Sequence, residues 1–254
     1  METITSTKNP RVLRWRSLSE RKGRRAEGCF LAEGRKMVSE ALASGFPVEA
    51  VLLDESRLDT LTPPEGVPCF CLAEHVFAAV CDTKTPQGIA AVVRMAPRPP
   101  AGTRLLALDD VQDPGNVGTI LRTADAAGID GVLLSAGCAD VFSPKVLRAT
   151  MGSIFRVGLR VTDDLPGALR ELREAGFTVL SSQLDGEPFY RRGPVGERFC
   201  LIVGNEGNGI SEACKREATM RVRLPMRGGA ESLNAAVAAG IMMYGLTREA
   251  ADDD

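Results

Sequence analysis

Asn116, Arg122, Glu206, Ser232 and Asn234 are the side chains best suited by type and position to bind or activate a ligand. Asn116 closes the turn-forming run Asp113-Pro114-Gly115-Asn116 ahead of a helical pattern. The free N–H groups that begin a helix can face an anion or a polar ligand, and Arg122 adds a permanent positive charge about one and a half turns further on. A capping asparagine and a surface arginine account for the same residues without chemistry. Glu206 sits in Gly204-Asn205-Glu206-Gly207-Asn208-Gly209, directly after the apolar run 199–203. A carboxylate there calls for a cap, a ligand or a cationic partner. The glycines let backbone approach a ligand, although they equally serve as turn residues, and their spacing is not that of a dinucleotide fingerprint. Ser232 and Asn234 straddle the start of an alanine-rich apolar helix, where either can cap the helix or orient a ligand.

Cys69, Cys71, His75 and Cys81 are the remaining candidates for a site. Their Cys-x-Cys start is unlike a zinc knuckle, so sulfur packed against strands and helices is the simpler reading and no metal is expected.

The three polar groups need strands that deliver them to one edge. The periodicity predicts a small α/β unit over 27–97, with helices at 34–43 and 74–80 and strands at 48–53, 67–72 and 88–93. Pro97, Pro99, Pro100 and Gly102 then mark a linker at 98–103. Over 104–250, strands at 105–108, 132–134, 157–161, 178–180, 199–203 and 220–224 alternate with helices at 117–127, 145–151, 165–175, towards 216 and after 232. That alternation implies a mostly parallel sheet, whose carboxyl edge collects ligands.

The 254 residues are 44% hydrophobic and 25% charged, enough for a real core and unlike a disordered chain. A net charge of -2 provides no overall basic field. The first 26 residues differ: Lys8, Arg11, Arg14, Arg16, Arg21, Lys22, Arg24 and Arg25 face only Glu2 and Glu20. With Leu13, Trp15 and Leu18 among them, this basic N-terminal extension reads as an amphipathic helix, an RNA-contacting arm or a solvated tail. Lys8, Arg11, Arg14, Arg21, Lys22, Arg24 and Arg25 are its candidate RNA contacts, joined by Arg122. Seven cysteines without a regular frame fit a reducing compartment. No signal-like apolar segment follows the first residues, and the weakly polar stretch 233–246 is too short to cross a bilayer, so a cytoplasmic protein is expected. Residues 251–254 read as an acidic solvated tail.

The run Asp109-Asp110-Val111-Gln112-Asp113-Pro114-Gly115-Asn116-Val117-Gly118-Thr119-Ile120-Leu121-Arg122-Thr123-Ala124-Asp125 resembles the first motif of the SpoU or TrmH type SPOUT RNA methyltransferases. FCLIVGNEGNGI at 199–210 is similar to their second motif and LPMRGGAESLNAA at 224–236 to their third, while 143–153 also looks familial. The resemblance covers 27–249. It implies a C-terminal α/β knot, the SPOUT trefoil knot, behind a small N-terminal α/β L30e-like RNA-binding domain, and a homodimer to which the terminal helix could contribute. The implied reaction transfers the methyl group of S-adenosylmethionine to a ribose 2'-hydroxyl, with 23S or other ribosomal RNA favoured by the domain arrangement. A transfer-RNA ribose methyltransferase, an antibiotic-resistance enzyme acting on ribosomal RNA and a noncatalytic RNA-binding or ribosome-assembly protein are the competing readings. Carried over by motif, Arg122 organises the 2'-oxygen, as general base or as an orienting and electrostatic group. The resemblance implies that Glu206, Ser232 and Asn234 hold RNA phosphate or ribose and the surrounding loops, and it places Asn116 among the residues of substrate placement and catalysis. Ser181, Ser182, Val203, Gly204, Asn205, Met226, Ser232 and Leu233 are the implied cofactor contacts.

Overall fold

The computed structural model describes residues 2–60 and 65–252, and the chain divides into two units. The first contains Met1–Pro97 and Asp140–Arg156; the second contains Arg98–Ala139 and Val157–Asp254.

The first unit starts with β1 (Glu2–Ile4), α1 (Pro10–Ser17), α2 (Arg21–Glu27), β2 (Cys29–Glu33) and α3 (Arg35–Ala43). It continues with β3 (Val48–Asp54), β4 (Cys69–Leu72), α4 (Glu74–Val80) and β5 (Ile89–Arg94). The strands lie in the order β1-β4-β3-β5-β2, with β5 antiparallel to β3 and β2 and the other pairs parallel. The basic N-terminal segment is therefore not an extension. β1 pairs with β4, and Val12, Trp15 and Leu18 enter the same core cluster as Leu52, Leu72 and Phe77. Pro10 opens α1, and Asn9 Oδ1 accepts a hydrogen bond from Arg11 N at 2.9 Å. The buried triplet recurs every three residues, a helix-face spacing, but basic residues between its members dominate the composition.

α1 and α2 meet closely at Gly23, where a Cβ would sit 1.9 Å from Ser17 O. The adjacent Arg24 is 3% exposed. Its guanidinium donates to Leu18 O at 2.9 Å, Ser19 O at 2.8 Å and Asp140 Oδ2 at 2.6 Å. Asp140 begins the stretch 140–156, which the sequence pattern assigns to the later domain and which the structure places in the first unit. Phe142 stacks on Phe30 at 4.9 Å between ring centroids, and Phe155 meets Phe46 edge-on at 5.3 Å.

The second unit is built on β6 (Arg104–Asp109), α5 (Pro114–Ala126) and β7 (Gly131–Ser135). The stretch 140–156 follows and carries α6 (Pro144–Thr150). Then come β8 (Gly158–Thr162), α7 (Leu165–Glu174), β9 (Thr178–Pro188), β10 (Phe199–Gly204), α8 (Glu212–Glu217), β11 (Met220–Arg223) and α9 (Ala235–Asp252). The sheet is wholly parallel, in the order β11-β9-β10-β6-β7-β8. Its central strands are buried along their length because helices cover both faces, which explains runs such as 199–203 that lack alternation. Leu105, Ala107, Val179, Cys200 and Ile202 pack with Leu165, Leu169 and Cys214 on one face; α9 packs on α5. The predicted linker is part of this unit, since Arg98 O accepts from Leu159 N at 2.7 Å. α9 runs through Asp252, taking in half of the predicted tail; residues 253 and 254 lie outside the described residues.

Candidate active site

At the carboxyl edge of this sheet, Asp109 of β6 and Gly204 of β10 are register partners, so the loops that follow them emerge side by side. The first loop enters α5 through an Asp113 cap, whose Oδ1 accepts from Asn116 N at 2.8 Å, and through Pro114 in the first turn. Asp113 thus caps the helix and leaves the Asn116 side chain available. The second loop is shaped by Asn205: its Oδ1 accepts from Gly207 N and Asn208 N, both at 2.9 Å, and its Nδ2 donates to Asp110 O at 2.8 Å.

Glu206 ties these loops together. Its carboxylate accepts from Gln112 N at 3.2 Å, Asp113 N at 3.1 Å and Asn116 Nδ2 at 2.8 Å. Asn116 Oδ1 in turn accepts from Asn234 Nδ2 at 2.9 Å, and Asn234 Oδ1 receives Ala236 N at 2.9 Å, capping the start of α9. The three motif regions therefore converge in one hydrogen-bond chain, Glu206–Asn116–Asn234. Partial burial alone would push the Glu206 carboxyl upward, but the Asn116 amide and the surrounding backbone N–H groups outweigh it and hold the group below its ordinary value. The carboxylate is ionised at neutral pH and occupied by donors. It is unsuited to grip an RNA phosphate, which would place two anions together, so its structural role is to order the loops.

A cleft of about 500 Å³ opens beside this chain, within the range of small-molecule sites. Of the residues assigned to a cofactor from sequence, Ser182, Val203, Gly204, Asn205, Met226, Ser232 and Leu233 line it. Ser181 does not. It is fully buried, accepting from Gln183 Nε2 at 2.6 Å and donating to Met220 O at 3.4 Å. The difference arises from a register jump between β9 and β11: Arg221 faces Ser181, but the next residue, Val222, faces Glu187. Residues 182–186 are skipped by the pairing, and Ser182, Gln183 and Leu184 line the cleft, the last two being residues the sequence pattern missed. Gly186 permits this, because a Cβ there would lie 2.6 Å from Val222 N. A glycine inside a strand is a signal for such a bulge. Arg223, Leu224, Ala238 and Met242 also line the cleft and were missed; their side chains meet the others only in the tertiary structure.

Asn234 and Glu206 also line the cleft, whereas Asn116 reaches it through its hydrogen bonds to them. Arg122 lies on the exposed side of α5 and is not among the lining residues. The arrangement offers apolar walls from Leu184, Leu224, Met226, Leu233 and Met242, a hydroxyl from Ser232, and backbone from the glycine loop. These suit a flat ring with a polar chain better than a polyphosphate, which needs concentrated positive charge.

The basic candidates belong to the first unit. Lys8, Arg11, Arg21, Lys22 and Arg25 are exposed, and Arg11 lies over the Phe70 ring at 4.8 Å. Arg24 is buried in the bonds described above and cannot reach RNA. Arg14 is held by Glu27 at 2.6 Å and Glu49 at 2.9 Å, so its charge is already matched. Cys71 is buried in β4, and burial raises the thiols of Cys69 and Cys81. Among the described residues, no group of three or more His, Cys, Asp or Glu side chains is placed to hold a metal, and no helix is long and apolar enough to cross a membrane.

Residues 103–244 match the SpoU rRNA Methylase family, and residues 9–91 match the MRM3-like substrate binding domain. The chain is 43% identical to the 23S rRNA (guanosine(2553)-2'-O)-methyltransferase RlmP of Bacillus subtilis, over 97% of this chain and 99% of that protein. A putative RNA methyltransferase of the TrmH family from Porphyromonas gingivalis has a similar structure, with a TM-score of 0.86 and 38% identity, covering 95% of this chain and 98% of that one. The AdoMet-bound rRNA methyltransferase from Sinorhizobium meliloti aligns with a TM-score of 0.87 and 33% identity, covering 98% of each chain.

Proposed function

Because this chain belongs to the SpoU rRNA methylase family, with its α/β-knot catalytic fold and a small substrate-binding domain, we propose that it methylates a ribose 2'-hydroxyl of 23S ribosomal RNA, using S-adenosylmethionine. The observation that carries this reading is the cleft, where all three motif loops are locked by the Glu206–Asn116–Asn234 chain around walls suited to an adenosyl group. When bound, S-adenosylmethionine supplies an electrophilic methyl group.

The rest is the work of this chain's residues. Glu206 and Asn116 set the position of the loop before α5, and Asn234 sets the start of α9; together they fix the cleft geometry on which alignment for transfer depends. The Ser232 hydroxyl has no hydrogen-bond partner among the described residues and lines the cleft, ready for cofactor or ribose. Arg122 orients the 2'-oxygen and stabilises the negative charge that develops there, since a guanidinium stays protonated and is a poor proton acceptor. Lys8, Arg11, Arg21, Lys22 and Arg25 contact the RNA backbone from the first unit.

The working form is a homodimer. Val237, Ile241 and Tyr244 recur along α9 and are at least a third exposed, as is Leu233 before the helix, an apolar surface that a second copy would cover. The cytoplasm, where ribosomal RNA is available, is the expected site of action.

Mapping ribose methyl groups on 23S and transfer RNA from cells lacking the protein, and again after restoring it, tests the reading. A 23S ribose methyl that disappears and returns is expected, and the guanosine methylated by the Bacillus relative is the first position to inspect. A dependent methyl group on transfer RNA alone would replace the substrate, and none anywhere would overturn the activity.

A further inference from the structure

Arg223 has no role in the hydrogen-bond chain that orders the active site, yet it stands on the cleft wall. It ends β11, where Val222 is buried, and the segment 182–186 that the pairing skips passes beside it. Its Nε donates to Gly186 O at 3.0 Å, which fixes the guanidinium by one edge. That carbonyl is available because Gly186 approaches the β11 backbone more closely than any side chain would allow.

Two charged side chains line the cleft among the described residues, Glu206 and Arg223. Glu206 has already spent its acceptors on Gln112, Asp113 and Asn116. Among the described residues Arg223 forms no ion pair, and beyond the Nε bond to Gly186 O its terminal NH2 groups keep their donors. The cleft therefore presents a single unmatched positive charge in a planar donor fork, the geometry that pairs with a carboxylate. An S-adenosyl amino acid carries one carboxylate, at the end of its aliphatic tail.

We propose that Arg223 recognises the carboxylate of the cofactor's amino-acid tail and so selects S-adenosyl amino acids over adenosyl thioethers that lack it. This rests on the reading of the cleft as the S-adenosylmethionine site. The competing use of the same cation is an RNA phosphate. Placement on the wall shared with Ser182, Leu224 and Met226, with the guanidinium tied to Gly186, favours the small ligand.

Isothermal titration of the full chain with S-adenosylhomocysteine and with 5'-methylthioadenosine, which lacks the amino-acid tail, tests the proposal without catalysis. Arg223→Gln should weaken S-adenosylhomocysteine about tenfold, the scale of one charge-assisted contact at a partly open site, and change 5'-methylthioadenosine less than about twofold. Arg223→Lys should recover part of the loss. In the wild type, decarboxylated S-adenosylhomocysteine should bind about tenfold more weakly than the parent, a comparison that needs no variant to fold. Equal losses for both ligands in Arg223→Gln, no discrimination against the decarboxylated compound, or loss of RNA affinity with S-adenosylhomocysteine unchanged would each overturn the assignment. If the wild type binds none of these compounds, the cofactor reading fails and Arg223 falls with it; binding without discrimination removes Arg223 alone.

Discussion

Replacing Glu206 by glutamine separates a loop clamp from a proton acceptor. In the wild type, Oε1 accepts from Asp113 N and Asn116 Nδ2, and Oε2 accepts from Gln112 N. A glutamine can keep the first pair with its remaining oxygen but then turns an NH2 group toward the Gln112 N–H. The smallest loss is thus one hydrogen bond to a charged acceptor, with a donor left facing a donor. Such bonds contribute about 1.5–3 kcal/mol, and the exposed position of Glu206 places this one at the low end, about 1.5 kcal/mol. If methyl transfer needs the clamped loops, kcat/KM falls about tenfold. Transfer of labelled methyl groups to undermethylated 23S rRNA, followed between about pH 6 and about pH 9, is the assay. The Asn116 amide and the backbone N–H groups hold the folded-state pKa of Glu206 below the ordinary carboxylate value. Its stabilising contribution is therefore complete above the unfolded pKa and is lost only as pH falls through the lower folded value. Wild type and variant should accordingly show parallel profiles across the neutral range. An acidic limb abolished by the substitution, together with a kcat loss of about 10²–10⁴, would identify a general base instead. An unchanged kcat/KM would show that the clamp is dispensable.

Arg24→Ala should destabilise the first unit by about 3 kcal/mol, because it strips a buried cation from Asp140 and from two backbone carbonyls; a urea-denaturation midpoint that does not move would contradict this. Arg122→Ala should abolish methyl transfer while S-adenosylhomocysteine still binds by calorimetry, and normal turnover would remove Arg122 from the reaction. Ile241→Asp, in the exposed face of α9, should shift the protein from dimer to monomer in sedimentation velocity, whereas a dimer of unchanged stability would place the interface elsewhere.

Much of the site was legible because its residues break strong local patterns. Glu206 follows a strand buried along its length, and Asp113-Pro114-Gly115-Asn116 is a turn between an apolar strand and a helix. Ser232 and Asn234 precede an alanine-rich helix, although the structure divides their roles: Asn234 caps α9, and Ser232 lines the cleft. The N-terminal segment was less legible. Charge density marks its surface but not which arginine turns inward, and Arg24 is distinguished from Arg25 only by the backbone carbonyls and the Asp140 carboxylate it meets.

The sequence by itself determined the α/β class, the parallel sheet and the three motif loops, because hydrophobic periodicity and turn residues act over a few neighbouring positions. Only the tertiary structure decided that Ser181 is buried while Ser182 and Gln183 face the cleft, that Arg223 joins them, and that 140–156 belongs to the first unit. Those outcomes depend on a register jump at Gly186 and on packing between residues far apart in the chain, such as Phe30 with Phe142. Contacts of that kind are set by which surfaces meet when the core closes, and no local pattern encodes them.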